Sequence, residues 1–257
     1  MKSKMKKIKE SNSKYHRNKI ISGSGLKTIY DQSIYYFLKE KRTETDAMRF
    51  GTAVHTLLLE GREKFRNDYF FMPKLDQRLK KNKELIIEYK EKSQGKVIWD
   101  TVKGREFYYI YQNFISYPLA LNYTTGIVEL SHYDNFKDCS VKVRPDCYEP
   151  NNWVADVKTS RDITQRSFRS EIRRRHYDLQ ATFYCDVLGI DPKNFRFIAV
   201  RNVYPFDCEV YSLNEDMISS GRYKYNIALN QWKDYIKTGN VTSFYSENRN
   251  KDGSIIL

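Results

Sequence analysis

Two carboxylates and an amine are the residues of this sequence best placed to do chemistry: Pro145-Asp146, nine further residues, then Asp156-Val157-Lys158. The stretch Asn152–Ser160 (NWVADVKTS) is rich in β-branched and aromatic residues and follows a Glu-Pro-Asn-Asn segment, which reads as a strand after a turn. Residues i and i+2 of a strand share a face, so Asp156 and Lys158 point the same way. Upstream, Cys139–Tyr148 alternates Val141 and Val143 with Lys142 and Arg144 until Pro145 interrupts it. A turn at Glu149–Asn152 would fold the two strands into a hairpin and bring Asp146 beside Asp156. Such a convergence can hold a divalent cation and set a water beside a phosphodiester. An Asp-x-Lys pair is also an ordinary surface salt bridge, so other residues must decide.

Four of them bear on the same chemistry. Glu129, in Ile127-Val128-Glu129-Leu130, is a carboxylate flanked by apolar residues, and it must leave the core face or find a partner. Gln180 and Tyr184 stand one helical turn apart on the segment after Lys158, where amide and phenol could bond a phosphate oxygen or a water; Tyr184 reads equally well as a core aromatic. His55 lies one turn beyond Gly51, whose missing side chain leaves room on the face His55 uses. A lone helical histidine can as well be a satisfied core residue.

The elements that would position these groups follow from pattern. Residues 1–19 lack a hydrophobic period and read as a flexible basic arm, with 20–257 forming one domain. Ser24 could cap a helix carrying Leu26, Ile29 and Tyr30. Thr45 or Asp46 caps a second helix that ends at Gly61. Phe65–Lys103 is polar, with one helix around Lys83–Glu91, and Phe107–Tyr117 is a helix stopped near Pro118. Strands are expected at Ile127–Tyr133, Ser140–Asp146 and Trp153–Thr159. A helical stretch at Thr164–Leu188, in one piece or two, precedes strands at Phe195–Arg201 and Cys208–Leu213. A last helix runs from Asn214 to Lys237, with Glu215 and Asp216 complementing its dipole. This order predicts an α/β (mixed α+β) fold.

Composition bounds the class. The formal net charge is +13, and the basic residues concentrate in the first 19 residues, in Arg78–Lys96 and in Arg161–Arg175; this points to a polyanionic partner. The run at Arg78–Lys96 reads as a solvated helix, whereas the last follows the Asp-x-Lys strand directly. No apolar run of 18 or more residues is present, so a membrane partner is not expected. The basic N-terminus has no apolar segment after it and does not read as a secretory signal. Cys139, Cys147, Cys185 and Cys208 are scattered, as in a reduced, cytoplasmic protein, and do not suggest a structural zinc or an iron–sulfur cluster.

In order, these pieces resemble the PD-(D/E)XK nuclease superfamily and, within it, the RecE-type exonucleases (exonuclease VIII-like) of phages and prophages. The residues that carry the resemblance are Ser22-Gly23-Ser24-Gly25-Leu26-Lys27, Met48-Arg49-Phe50-Gly51-Thr52-Ala53-Val54-His55, Glu129-Leu130-Ser131, Val143-Arg144-Pro145-Asp146, Asp156-Val157-Lys158-Thr159-Ser160 and Gln180-Ala181-Thr182-Phe183-Tyr184. The resemblance spans about Ile21 to Thr238; Phe65–Thr125 and the N-terminal arm lie outside any feature it matches.

The resemblance implies a restriction-endonuclease-like core: a mixed central sheet flanked by helices, with further helices N-terminal to it. It implies a Mg²⁺- or Mn²⁺-dependent exodeoxyribonuclease, with two ions per site, that digests linear double-stranded DNA 5′ to 3′. The 3′ single strands would pass to a single-strand annealing protein for recombination, and the enzyme would be a homo-oligomeric ring in the host cytoplasm. Asp146, Asp156, the Val157 carbonyl, His55 and Glu129 would be metal ligands. Lys158, Gln180 and Tyr184 would be catalytic. Arg144, Thr159, Ser160, Arg173, Arg174 and Arg175 would contact DNA. The alternatives are a RecB-like or structure-specific endonuclease of the same superfamily, and a DNA-binding recombination accessory protein without catalysis.

Overall fold

The computed structural model describes residues 5–41, 43–241, 250–252 and 254–255. The chain opens with β1 (Lys6–Ile8), α1 (Asn12–Arg17) and β2 (Ile21–Ser22), then α2 (Gly23–Asp31) and α3 (Ile34–Lys39). The expectation of a flexible arm is corrected here. β1 pairs antiparallel with a later strand, and Tyr15 of α1 is buried against the protein. Ser11 caps α1 through the Lys14 N–H, and the buried aromatic anchors a segment whose polar neighbours hide it in the sequence. The cap of α2 is Ser22 rather than Ser24, its side chain accepting from the Gly25 N–H.

Next come α4 (Asp46–His55) and a π-helical turn (Thr56–Glu60), closed by Gly61 at φ +92°. Thr45 caps α4 through the Met48 N–H. His55 is thus the last α-helical residue before the wider turn, a register change that often accompanies functional sites. The chain continues through α5 (Gly61–Asp68), β3 (Tyr69–Met72), α6 (Lys80–Lys92), β4 (Val97–Asp100), α7 (Thr101–Ile115) and α8 (Pro118–Asn122). β3 and β4 form a separate parallel pair within the segment that no motif had organised.

The central part is β5 (Ile127–Val128), β6 (Ser131–Phe136), β7 (Cys139–Val143), β8 (Cys147–Glu149), β9 (Trp153–Ser160), α9 (Gln165–Arg174), α10 (Tyr177–Leu188), β10 (Phe195–Arg201), β11 (Cys208–Tyr211) and α11 (Glu215–Thr238). Five strands form a mixed sheet in the order β11-β10-β9-β8-β5, with β9 and β10 parallel and the other neighbours antiparallel. A second sheet has the order β1-β6-β7-β2.

One expected strand is divided between these sheets, and another ends early. Ile127–Tyr133 breaks at Glu129, whose φ of 52° is left-handed, so β5 joins the first sheet and β6 the second. The expected Ser140–Asp146 strand ends at Val143, ahead of Pro145, which has no N–H to offer a ladder; β7 lies in the second sheet and β8, beyond the proline, in the first. The Glu129 N–H donates to the Asp146 carbonyl at 3.1 Å and ties the two crossings together.

Apolar cores cover both faces of the five-stranded sheet. Val154, Phe195, Phe197 and Ala199 pack under α2, α9, α10 and α11, while Ala155, Val157, Ile198 and Val200 pack under α4 and α7. The strict alternation along β9 and β10 is the signature of strands buried on both sides. Asp156 and Lys158 occupy two positions on the first of these faces where apolar side chains would otherwise stand.

Candidate metal centre and catalytic residues

The site lies where the β8–β9 ladder runs out. Those strands pair only from Glu149–Trp153 to Cys147–Ala155, so among the described residues the backbone of Val157 has no strand partner on that side. Two side chains take its place. Asp146 Oδ2 accepts the Val157 N–H at 2.7 Å, and His55 Nε2 lies 2.8 Å from the Val157 carbonyl. The hairpin thus does bring Asp146 beside β9, through the backbone of the residue between Asp156 and Lys158.

His55 reaches this point because α4 runs along β9. A Cβ at Gly51 would lie 3.6 Å from Thr159 Oγ1, an ordinary contact, so the helix approaches closely there but does not demand glycine. The carbonyl can only accept, so His55 Nε2 carries the proton and Nδ1 keeps its lone pair. Nδ1 faces Asp146 Oδ2 at 3.4 Å. A ring that donates one N–H to a backbone carbonyl and turns the other nitrogen toward a carboxylate has the orientation of a metal ligand. Burial and the nearby Lys158 ammonium lower the His55 pKa, which keeps the ring neutral.

One donor atom each from His55, Glu129 and Asp146 falls within 4.8 Å of the others. Burial and the Asp156 charge push Asp146 up to about 8; burial and the Asp146 charge push Glu129 up to about 7. Arg144 beside Glu129 and Lys158 near Asp146 offset only part of this burial and mutual repulsion. Two carboxylates, one imidazole and a carbonyl with a second lone pair suit Mg²⁺ or Mn²⁺, so the donor set fits the ion implied by the resemblance.

Asp156 stands beside this group in a network of its own. Its Oδ1 accepts from Gln180 Nε2 at 3.0 Å, its Oδ2 pairs with the Lys158 ammonium, and Gln180 Oε1 accepts from Lys27 Nζ at 2.9 Å. An ammonium only donates and a carboxylate only accepts, so the group between Lys27 and Asp156 must both accept and donate, as the Gln180 amide does. Lys158 Nζ also sits 4.9 Å above the Tyr177 ring. Burial works to lower the Lys158 pKa, but the Asp156 and Asp146 carboxylates outweigh it and raise it, so the amine is charged at neutral pH. Tyr184 packs under α2 with its ring against Gly23, and burial raises its pKa far above the ordinary phenol value.

The expected DNA contacts divide. Arg173 and Arg174 are exposed at the end of α9, while Arg175 pairs with Glu171 at 2.8 Å. Ser160 Oγ bonds Glu171 at 2.7 Å, and Thr159 faces α4. Arg144 is turned inward: it pairs with Glu129 at 2.9 Å, donates to Asn12 and stacks 4.6 Å over the Tyr15 ring. Lys27 and Tyr15 had no assigned role. Lys27 stands in the Ser-Gly-Ser-Gly-Leu-Lys run that carried the resemblance, a signal that was available; Tyr15 could have been found only as the lone aromatic capable of anchoring a short capped helix.

Comparisons with known proteins agree with this architecture. The family described as a PDDEXK-like domain of unknown function (DUF3799) matches residues 35–250. A search of the curated proteins finds no match. Among solved structures, the chain is similar to a protein from Eubacterium rectale described as a "Putative exonuclease", with a TM-score of 0.62 at 13% identity over 92% of this chain and 90% of that one.

Proposed function

The chain belongs to the PDDEXK-like domain family, and from that premise we propose that it is a divalent-metal-dependent exodeoxyribonuclease acting on linear double-stranded DNA. The observation that carries this reading is the convergence of His55, Glu129 and Asp146 beside the Asp156–Lys158 pair, with every donor fixed by a second contact. Digestion from 5′ to 3′, a ring assembly, and delivery of 3′ single strands to an annealing protein belong to the same reading and are supported by the sequence resemblance.

His55, Glu129, Asp146, Asp156 and the Val157 carbonyl would hold the ion or ions. A bound Mg²⁺ or Mn²⁺ would supply charge neutralisation at the phosphate and a more acidic water. The protein's own part is to position and to stabilise. Lys158 holds its proton, so it serves as a fixed cation and donor toward the attacking water and the charge that builds on the phosphate oxygens. Gln180 keeps Asp156 and Lys27 in register. Arg144 orients Glu129 rather than the DNA backbone, and Arg173 and Arg174 offer exposed charge for phosphates.

The test is digestion of end-labelled linear duplex and of covalently closed circles, with Mg²⁺ or with EDTA. Linear duplex should be degraded only with metal, and closed circles should survive. Asp156→Asn should lose nearly all turnover while remaining folded. Lys158→Ala should still bind duplex but cleave at least about a hundredfold more slowly, because its effect falls on the transition state. Rapid cutting of closed circles would replace this reading with an endonuclease of the same fold; full turnover by Asp156→Asn would remove the site assignment.

A further inference from the structure

An aromatic and basic surface lies beyond the C-terminal end of β9. The backbone N–H of Asn202 donates to the Ser160 carbonyl at 2.9 Å, which places the β10–β11 loop against the strand end two residues past Lys158. That loop is held firmly. Asn113 donates to the carbonyls of Pro205 and Phe206 at 2.8 and 3.1 Å, and the Phe206 N–H bonds the Val203 carbonyl at 2.8 Å. Even so, it presents Tyr204 with 86% of its surface exposed. Phe206 lies parallel to Tyr109 of α7, their planes 6° apart, and Tyr109 is itself 52% exposed. A rigid loop that spends aromatic surface on solvent calls for an occupant.

The charges indicate which. Beside the loop is a depression of about 590 Å³ lined by Arg49, Trp99, Lys103, Arg161 and Val203. The carboxylates around it are engaged: Asp46 by Arg49, Glu106 by Lys103, Asp100 by the Lys103 N–H. Among the described residues, Arg161 and Arg105 (exposed on α7 one turn before Tyr109) have side chains in no ion pair or hydrogen bond. Unpaired cations beside open aromatic faces suit a polyanion that also offers flat rings. A duplex hides its base faces, whereas a single strand exposes them. We propose that α7 and the β10–β11 loop form a stacking platform for single-stranded DNA, with Tyr204 and Tyr109 under the bases and Arg161 and Arg105 on the phosphates. The proposal rests on the nuclease reading only for the origin of that strand.

The test is fluorescence anisotropy of a labelled oligothymidylate in EDTA, run beside the duplex-cleavage assay. Tyr204→Ala should weaken binding about tenfold or more, Tyr204→Phe should bind like the parent because the π-face remains, and Arg161→Ala should weaken binding and flatten its salt dependence. Unchanged affinity in Tyr204→Ala, or equal loss in Tyr204→Phe, would overturn the platform. So would a Tyr204-dependent self-association in sedimentation with oligothymidylate affinity intact, which would mark an interface between copies. Tyr204-dependent binding by a protein that cleaves nothing would leave the platform standing and sink the nuclease reading, so the two fail separately.

Discussion

Asp146 and Glu129 are residues whose electrostatic cost is plainly visible, held up to about 8 and about 7 by burial and by neighbouring carboxylates. A carboxyl raised on folding contributes stability while protonated, fully present below its unfolded value near about 4 and lost as pH rises through the folded value. His55, lowered on folding, acts oppositely: its contribution is lost as pH falls below about 6.5 and is constant above it. In EDTA the melting temperature should therefore fall between about pH 6.5, where His55 no longer opposes the trend, and about pH 8, and level off above. Asp146→Asn should flatten that decline, and saturating Mg²⁺ should reverse it, since ligands that shed protons bind metal better as pH rises. Differential scanning fluorimetry across this range checks it; parallel profiles for the parent and Asp146→Asn would show that Asp146 does not titrate there.

At the scale of elements, the position of Gln180 depends on how α10 meets α11. A Cβ at Gly221 of α11 would lie 2.3 Å from the Asp178 carbonyl oxygen and 2.6 Å from Thr182 Oγ1. Backbone cannot yield as a flexible side chain can, so Gly221→Ala should force the two helices apart. We expect a loss of about 1–3 kcal/mol in chemical denaturation, the usual cost of overpacking. Because α10 also carries Gln180, cleavage should fall beyond what the unfolded fraction explains. An unchanged denaturation midpoint would show that the helices separate without strain. Elsewhere, the π-helical turn sets the end of α4 and with it the direction of His55 toward β9.

For the whole molecule, the proposed reading and the net charge of +13 together predict a salt-sensitive affinity for DNA, with the fold deciding which cations would carry it. Arg144 is withdrawn into the site by Glu129 and Tyr15, whereas Arg173 and Arg174 stay in solvent. In EDTA, the double variant Arg173→Ala, Arg174→Ala should bind duplex more weakly and lower the slope of log affinity against log salt by about two, or about 0.9 for each phosphate left without its arginine. Arg144→Ala should leave that slope unchanged and impair cleavage instead. A slope unaltered in the double variant would move the DNA path away from α9.

Much of the site was legible in the residues themselves. Asp-x-Lys on a strand fixes a shared face by its period of two, the turn after Glu149 supplies the hairpin, and Gln180 and Tyr184 fall on one helix by spacing. These are local relations, and local sequence carries them. The division of Ile127–Tyr133 between two sheets was decided only by the tertiary structure, because it depends on which strands Val128 and His132 find as partners. The same holds for Arg144, read as a DNA contact until Tyr15 and Glu129 met it from distant parts of the chain, and for the first residues, whose single buried aromatic outweighs their polarity once β6 offers an edge. Charge and period belong to a segment; what a charged group faces is set by the elements packed around it, and only the folded chain brings those together.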